Sequence, residues 1–152
     1  MMEYRQIVSV TGLPGLYQLK STKKDGAFVV SLDDHSVKFI SARKHQITPL
    51  ESIEIYTYED NVTLHKVFHA ISENEADKLD ELTKKNAGTE ARTYFKEILP
   101  DFDEDRVYVS DIQKIYKWYI LLKQNNLLNF EMYDAASEQE DVVVTNEEEE
   151  ES

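Results

Sequence analysis

Short segments of alternating apolar and polar residues fill most of the first sixty positions of the chain, and turn sequences separate them. The segments span residues 6–11, 16–21, 27–32, 36–41 and 52–57. Gly12-Leu-Pro-Gly15 separates the first two. Asp25-Gly26, which readily takes the positive φ angles of a tight hairpin, separates the second from the third. Alternation over so few residues, bounded by turns, predicts five short β-strands.

The segment before the last predicted strand indicates how these strands are arranged. Thr48-Pro49-Leu50-Glu51 has the order of a capping box with proline at the first helical position, but it has room for only one helical turn. Five short strands with a helical turn before the last resemble a small SH3-like barrel, a closed form that removes exposed strand edges. We therefore predict such a barrel over residues 1–60.

From residue 61 onward the apolar residues recur three and four positions apart, which is the period of an α-helix. This spacing and the capping sequences together predict four helices. They begin at Asn61, at Ser72-Glu-Asn-Glu75, at Thr89 and at Ser110-Asp-Ile-Gln113, and Gly88 separates the second from the third. The predicted fold class is therefore α+β, with a helical sub-domain over residues 61–130 packed on the barrel.

The last predicted helix, from Ser110 to Lys123, is apolar on nearly every side. One face, formed by residues 112, 115, 116, 119 and 122, suffices to pack it on its own sub-domain, whereas Trp118 and Leu121 fall on other faces. A helix of this kind is usually buried centrally or lies at an interface. We favour a monomer in which the barrel covers Trp118 and Leu121, and a homodimer or a partner protein is the alternative.

The net charge of −13 is concentrated at the C-terminus. Residues 131–152 contain ten acidic residues and no basic one, whereas residues 1–72 contain eight of each. A segment of this composition buries too little apolar area to offset its conformational entropy, so we predict a disordered acidic tail over residues 131–152. Because residues 1–130 are only mildly acidic, the net charge says little about the partners of the fold.

Several classes of protein are disfavoured by residues that are missing from the sequence. Cysteine is absent, which excludes disulfides and thiolate metal sites. Residues 1–9 lack the apolar core of a signal peptide, and no apolar run approaches the roughly 20 residues that span a bilayer. No glycine-rich phosphate loop and no Gly-x-Ser-x-Gly sequence is present. We predict a cytoplasmic protein that is not an enzyme, has no membrane partner and carries no cofactor.

Two groups of candidate metal ligands are present, and both are incomplete. Asp101, Asp103 and Asp105 alternate like the start of a calcium loop, but Arg106 and Ile112 replace the glycine and the closing glutamate. His65 and His69 are four residues apart on a predicted helix, where two imidazoles can share a metal ion, but two ligands alone make a weak site. We interpret the aspartates as an acidic linker and the histidines as a solvated helix face, so no metal site is predicted.

A basic patch is the other candidate site. Lys20, Lys23 and Lys24 would meet Arg43, Lys44 and His45 if two loops of the barrel converge, and three aromatic residues lie on the neighbouring strands: Phe28, Phe39 and Tyr17. Lysines beside stacking rings are typical of single-stranded nucleic-acid sites. Since residues 1–72 carry no net charge, we favour ordinary solvated lysines over a nucleic-acid site.

Two stretches of the chain resemble an uncharacterised family. They are Gly12-Leu-Pro-Gly-Leu-Tyr17 and Tyr94-Phe-Lys-Glu-Ile-Leu-Pro-Asp-Phe-Asp-Glu-Asp-Arg-Val-Tyr108, together with Ser110-Asp-Ile and Trp118-Tyr119. The family consists of small Bacteroidota proteins with N- and C-terminal domains of unknown function. The resemblance covers residues 6–130 and implies two sub-domains in a bacterial cytoplasm. It implies no activity, cofactor or site residue.

The sequence predicts a binding or regulatory module that acts through protein–protein contacts. Trp118, Leu121, Lys23, Lys24, Arg43 and Lys44 are its candidate interaction residues. The alternative is a nucleic-acid- or ribosome-associated barrel that uses the loop lysines.

Overall fold

The computed structural model describes residues 3–74 and 79–128 and has the predicted α+β fold class. A five-stranded antiparallel sheet comes first, and a two-stranded ribbon and three α-helices follow. The acidic tail predicted over residues 131–152 lies outside the described residues.

The sheet has the strand order β4-β3-β2-β1-β5. Its strands are β1 (Ile7–Val10), β2 (Tyr17–Lys23), β3 (Gly26–Ser31), β4 (Val37–Ser41) and β5 (Ile47–Pro49). The first four follow one another as hairpins, and the hairpin predicted at Asp25-Gly26 is present, with Lys23 opposite Gly26. Gly12 and Gly15 take φ angles of 83° and 81° in the β1–β2 loop, a conformation that favours glycine.

The fifth strand of the sheet is not the one predicted. Thr48 and Pro49, interpreted above as the first residues of a helical turn, instead belong to β5 and pair with β1, and the predicted turn follows as the 3₁₀ turn Leu50–Ser52. Pro49 is compatible with this place because β5 is an edge strand, where a missing N–H breaks no second ladder. The strand predicted at 52–57 contributes only β6 (Glu54–Ile55), which pairs with β7 (Val62–Thr63) in the separate ribbon.

The three helices are α1 (Leu64–Glu73), α2 (Gly88–Ile98) and α3 (Val109–Gln124). They match the first, third and fourth predicted helices, but their starts differ from the predicted caps. Asn61 precedes β7 and does not cap α1, and Gly88 is the first residue of α2. At α3 the Asp111 carboxylate accepts the Tyr108 N–H at 3.0 Å, so the helix begins one residue before Ser110. No helix in the described ranges is long and apolar enough to span a bilayer.

The helix predicted to begin at Ser72 and to end before Gly88 is wrong where the structure describes the chain. Helix α1 continues through Ser72 and ends at Glu73, where the Asn74 side-chain amide donates to the Ala70 carbonyl at 2.8 Å. Two 3₁₀ turns follow, Glu81–Thr83 and Lys85–Ala87. The apolar residues at helical spacing in this segment are only three, at positions 76, 79 and 82, which offers little burial to hold a helix against the core.

Two apolar clusters hold these elements together. The larger joins the helices to one face of the sheet, and its members from the sheet side include Ile7, Leu16, Leu32 and Leu50. The smaller lies on the other face and contains Val8, Val10, Tyr17, Val29 and Ile40, with Ile47 packed against it. Residues 7 and 8 are both almost fully buried, so β1 is covered on its two faces. The helices therefore share a core with the sheet.

Candidate functional site

A groove of about 250 Å³ lies between β6 and the first half of α3, and it is called here the β6–α3 groove. Its apolar lining is Ile53, Ile55, Val107, Ile115 and Trp118, and its polar or aromatic rim is Glu54, Tyr56, Arg106, Asp111 and Lys114. Pockets for small organic ligands usually measure about 300–1,000 Å³. The groove is therefore of a size for one or two inserted side chains.

Among the residues that the structure describes, the backbone of β6 presents an open edge to this groove. In an antiparallel ladder alternate residues hydrogen-bond to the partner strand. The Leu64 N–H donates to the Ile53 carbonyl at 3.1 Å, so residues 53 and 64 form a hydrogen-bonded pair. Glu54, opposite Thr63, then directs its N–H and C=O away from β7. These backbone groups lie where an added strand would pair.

The 101–107 loop occupies the next part of the same edge. The Tyr58 N–H donates to the Asp101 carbonyl and the Asp103 N–H donates to the Tyr56 carbonyl, both at 2.9 Å. Thr57 and Phe102 form the β-bridge between these bonds. From the Tyr56 carbonyl onward, the backbone groups on this edge are already hydrogen-bonded to the 101–107 loop. An added strand can therefore pair only at the positions around Glu54.

Asp103 holds this loop in place. Its carboxylate accepts the Arg106 Nε–H at 2.9 Å and the Asp105 N–H at 3.0 Å. The hydrogen bond from Arg106 and that from the Asp105 backbone keep the pKa of the Asp103 carboxyl below its ordinary value, although burial acts in the opposite direction. Asp101 and Asp105 are exposed. Of the three aspartates considered as calcium ligands, Asp103 therefore has a structural role in the loop.

Asp103 makes the loop sensitive to acid. Because its folded-state pKa is depressed, its contribution is present above the unfolded pKa of about 3.9 and is lost as the pH falls through the folded pKa. We expect Asp103→Asn to be less stable than the wild type at pH 7, with a gap that narrows below about pH 4. Denaturant unfolding at pH 7, 5, 4 and 3 measures this gap. Asp101→Asn, in the same loop, is the control, and a gap that does not change with pH contradicts the assignment.

Arg106 also forms the rim of the groove. Its guanidinium carbon lies 4.2 Å from the centre of the Tyr56 ring, a cation–π arrangement. The Nε–H of the same guanidinium donates to the Asp103 carboxylate. These two contacts restrain the Arg106 side chain before a partner binds, which lowers the entropic cost of binding.

The structure separates the two candidate residues of α3. Trp118 is only 8% exposed and lines the β6–α3 groove together with Ile53 and Ile55, and it belongs to the larger apolar cluster. Leu121 is half-buried on another side of α3, and its Cδ1 atom lies directly beside Gly15, where a Cβ atom on residue 15 would be in van der Waals contact with it. Leu121 thus packs against the β1–β2 loop of the sheet.

The two basic loops do converge. The Ala42 N–H donates to the Asp25 carbonyl at 2.9 Å, which places the β2–β3 turn with Lys23 and Lys24 beside the loop that carries Arg43 and Lys44. Next to them Phe28 and Phe39 lie opposite each other on β3 and β4, with ring centres 5.0 Å apart. These four basic residues and two rings, with the neighbouring Val37, are called here the basic aromatic face.

Three residues considered with this patch do not share its face. Tyr17 is buried in the smaller cluster on the other face of the sheet. The His45 ring Nδ1 lies 2.7 Å from the Thr11 carbonyl, so His45 faces the β1–β2 loop. Lys20 lies at the irregularity in β2 between Leu19 and Ser21, away from the β2–β3 turn.

His65 and His69 have unlike surroundings, which corrects the expectation of one solvated face. His65 is 6% exposed and meets the edge of the Tyr4 ring with centres 6.4 Å apart. His69 is exposed and its Nε2 lies 3.1 Å from the Glu73 carboxylate. Within residues 3–74 and 79–128, no group of three or more carboxylate or imidazole side chains converges as metal ligands would.

Sequence reasoning missed two features of these surfaces. The open edge at Glu54 depends on the pairing of β6 with a two-residue strand, which is too short to leave a periodic signal. The exposure of Val37 on β4 was also missed, although Phe39 on the same strand was considered as a stacking ring. Four basic residues in the adjoining loops indicate that this end of β3 and β4 faces solvent: Lys23, Lys24, Arg43 and Lys44.

Comparison with known proteins divides the chain into two parts. Residues 5–50 match the family model described as a domain of unknown function (DUF5606), and residues 53–122 match another (DUF6852). A solution NMR structure of a Bacteroides vulgatus protein, determined by a structural genomics consortium, is 31% identical with a TM-score of 0.61. The similarity covers 81% of this chain and 87% of that one. A search of curated proteins found no match.

Proposed function

We propose that this chain, which belongs to an uncharacterised family of Bacteroidota proteins that combine these two domains, is a non-enzymatic binding module. Its β6–α3 groove takes an extended segment of a partner protein. The observation that carries this proposal is the apolar groove directly beside the open backbone edge at Glu54.

The groove suits strand addition followed by side-chain insertion. In that mode the main-chain hydrogen bonds of an added strand provide affinity, and a pocket for alternate side chains provides specificity. Here Glu54 supplies one N–H and one C=O, and the volume of about 250 Å³ accepts one or two side chains. Trp118, Tyr56 and Arg106 are of the residue types that dominate binding energy at interfaces.

The lining defines the chemistry of the partner segment. Ile53, Ile55, Val107 and Ile115 call for an aliphatic side chain at the centre of the segment. The rim carries two acids and two bases, so it selects no strong net charge. We therefore expect an extended peptide with aliphatic residues at alternate positions and no block of like charge.

The test is a screen of displayed random twelve-residue peptides, followed by amide chemical-shift mapping on the full chain. We expect the selected peptides to alternate in hydropathy and to shift the amides of residues 53–56 and 106–118. A single-stranded oligonucleotide added in a parallel titration examines the second candidate function described below. Selected peptides that shift another surface, or no selection at all, contradict the proposal.

One substitution separates edge pairing from side-chain contact. Glu54→Pro removes the outward N–H without removing a bond to β7, and Ile53 already has the extended ψ of 131° that a following proline requires. We expect Glu54→Pro to weaken a selected peptide about tenfold, the loss of roughly one hydrogen bond. Glu54→Ala is the matched control. Methylating the pairing nitrogen of the peptide makes the same test without a protein variant.

Nucleic-acid binding is the second candidate function. It is favoured by the hydrogen bond from Ala42 to Asp25, which brings the basic loops together next to Phe28 and Phe39. Stacking rings beside cations suit single strands without sequence preference. If this site binds nucleic acid, the single-stranded oligonucleotide should shift the amide signals of residues 23–28 and 37–44, and its affinity should fall steeply with salt concentration.

We also propose an SH3-like, partly open barrel for the five-stranded sheet and a cytoplasmic, monomeric protein. For the barrel, the support is that one apolar cluster on the face away from the helices includes side chains from all five strands, from Ile40 of β4 to Ile47 of β5. The absence of cysteine supports a reducing compartment.

A further inference from the structure

The basic aromatic face combines exposed apolar surface with exposed positive charge. Val37, Phe39 and Phe28 are 68%, 43% and 38% exposed, and they lie side by side on β3 and β4. The same face of the sheet is covered by the helices at Ile7 and becomes open towards β4. Three neighbouring large apolar side chains on an open face are typical of an interaction surface.

The positive charges beside this apolar strip are available. Lys23, Lys24, Arg43 and Lys44 are all exposed, and in the part of the chain that the structure describes none of them forms an ion pair. Asp25 is the one acidic residue in the two loops. The occupant that fits such a surface is acidic and carries a short apolar stretch.

We propose that this occupant is the C-terminal segment of the same chain, residues 131–152, bound in cis over the basic aromatic face. The segment contains ten acidic residues and no basic one. Val142, Val143 and Val144 form its apolar stretch, preceded by Glu140-Asp141 and followed by residues 147–151, which are all glutamate. Its pattern of an apolar centre between acidic flanks complements the apolar strip beside basic loops.

The end of the described chain lies close to this face. The Asn125 side-chain amide donates to the Leu32 carbonyl at 3.1 Å, at the end of β3 where β4 begins. The basic loops are at the other end of β3, about 20 Å away for a strand of this length. The 14 residues from 129 to 142 reach up to about 45 Å when extended, so the length of chain is sufficient.

Binding in cis has a functional consequence. The acidic segment occupies the surface that an external polyanion would use, so it acts as an intramolecular competitor for that surface. This inference does not depend on the β6–α3 groove, which lies beside α3 and holds a peptide in the proposal above. An anionic ligand must then displace the segment, and its apparent affinity is reduced by the fraction of time the face is covered.

The absence of cysteine allows a direct test in the full chain. Ser137→Cys provides a single attachment point for a nitroxide spin label, which broadens the amide signals of residues near it in space. We expect the amides of residues 23–28 and 37–44 to lose most of their intensity at low salt. At 1 M salt, where charges are screened beyond about 3 Å, we expect the intensity to return.

Two charge-reversal variants make the matched comparison. Lys23→Glu/Lys24→Glu should abolish the broadening of the face, whereas Lys84→Glu/Lys85→Glu makes the same charge change at exposed residues of the helical half and should leave it intact. The label reduced with ascorbate gives the reference intensities. Because both pairs of lysines are exposed, the fold of each variant can be checked by its amide spectrum.

Three outcomes overturn the proposal. The first is broadening confined to surfaces other than the basic aromatic face, and the second is broadening that Lys23→Glu/Lys24→Glu does not change. The third is broadening that also appears when unlabelled ¹⁵N protein is mixed with spin-labelled ¹⁴N protein, because the segment then binds a second copy of the chain. Broadening within one molecule that follows the charge of the basic loops supports it.

Discussion

Trp118→Ala is expected to lower the free energy of unfolding by about 3–5 kcal/mol, as other large aromatic truncations in cores do. Trp118 is 8% exposed, belongs to the larger apolar cluster and lines the β6–α3 groove with Ile53, Ile55 and Ile115. Its removal enlarges the β6–α3 groove into the core, and the surrounding elements are held by backbone hydrogen bonds that resist collapse. Denaturant unfolding of the wild type and the variant measures the loss.

Sedimentation of the same two proteins distinguishes a core residue from an interface residue. We expect both to be monomers at all concentrations, because contacts within the chain already bury Trp118. Trp118→Phe keeps part of the ring volume and should lose less stability. A wild-type dimer that becomes a stable monomer in Trp118→Ala would show instead that a second chain covers this residue.

Three of the four predicted helices are present in the described residues, because their apolar spacing is strong. Leu64, Val67, Phe68 and Ile71 recur at helical spacing, and all four are buried in α1 as that spacing requires. Pro100 stops α2, since proline cannot continue a helix. The helix predicted after Ser72 is not found in the described residues because its capping sequence is not followed by an apolar stripe long enough to pack against the core. Burial of an apolar face, more than the cap, decides whether a short helix forms.

The first four strands of the sheet were predictable because clear turn sequences separate them, whereas the fifth strand was not predictable. Their turns carry strong signals, such as Asp25-Gly26 between β2 and β3. In β5 the residues Ile47 and Thr48 have no alternating neighbours, and Pro49 argues against a strand unless its edge position is known. That position is set by the return of the chain to β1, a contact between residues about forty positions apart. No local pattern contains it.

The candidate site could be predicted only in part. Trp118 was singled out because α3 has more apolar residues than one face can use, and it does line the groove. Lys23, Lys24, Arg43 and Lys44 were grouped on the condition that two loops converge, and the loops do. The open edge at Glu54 could not be predicted, because it depends on which side of β6 is paired. The three-dimensional fold determines which edge of β6 pairs with β7, and the residue types of β6 do not determine it.

Phe95→Ala is expected to cost about 3–5 kcal/mol of the free energy of unfolding. The Phe95 side chain of α2 is fully buried. Its ring meets the edge of Phe102 at 5.0 Å between centres and lies 6.4 Å from the ring of Tyr116 on α3. Because Phe102 also forms the bridge to Thr57, one ring joins α2, α3 and the loop beside the β6–α3 groove.

The matched control is Phe28→Ala on the basic aromatic face. Phe28 and Phe39 also meet edge to face with centres 5.0 Å apart, so the ring–ring contact is nearly the same as that of Phe95 and Phe102. Phe28 is 38% exposed, however, and its truncation leaves no enclosed cavity. We expect a loss of about 1 kcal/mol, the size of an aromatic pair contribution without the burial of a core ring.

We compare the two variants by denaturant unfolding in 1 M salt, because screening weakens the electrostatic attraction of residues 131–152 to the basic loops. The two losses then differ mainly by burial, since each ring has one partner ring at the same 5.0 Å between centres. Equal losses would contradict the open face at Phe28 and would mean that a part of the chain outside the described residues covers it through apolar contacts. A further loss for Phe28→Ala at low salt would measure the contribution of the acidic segment.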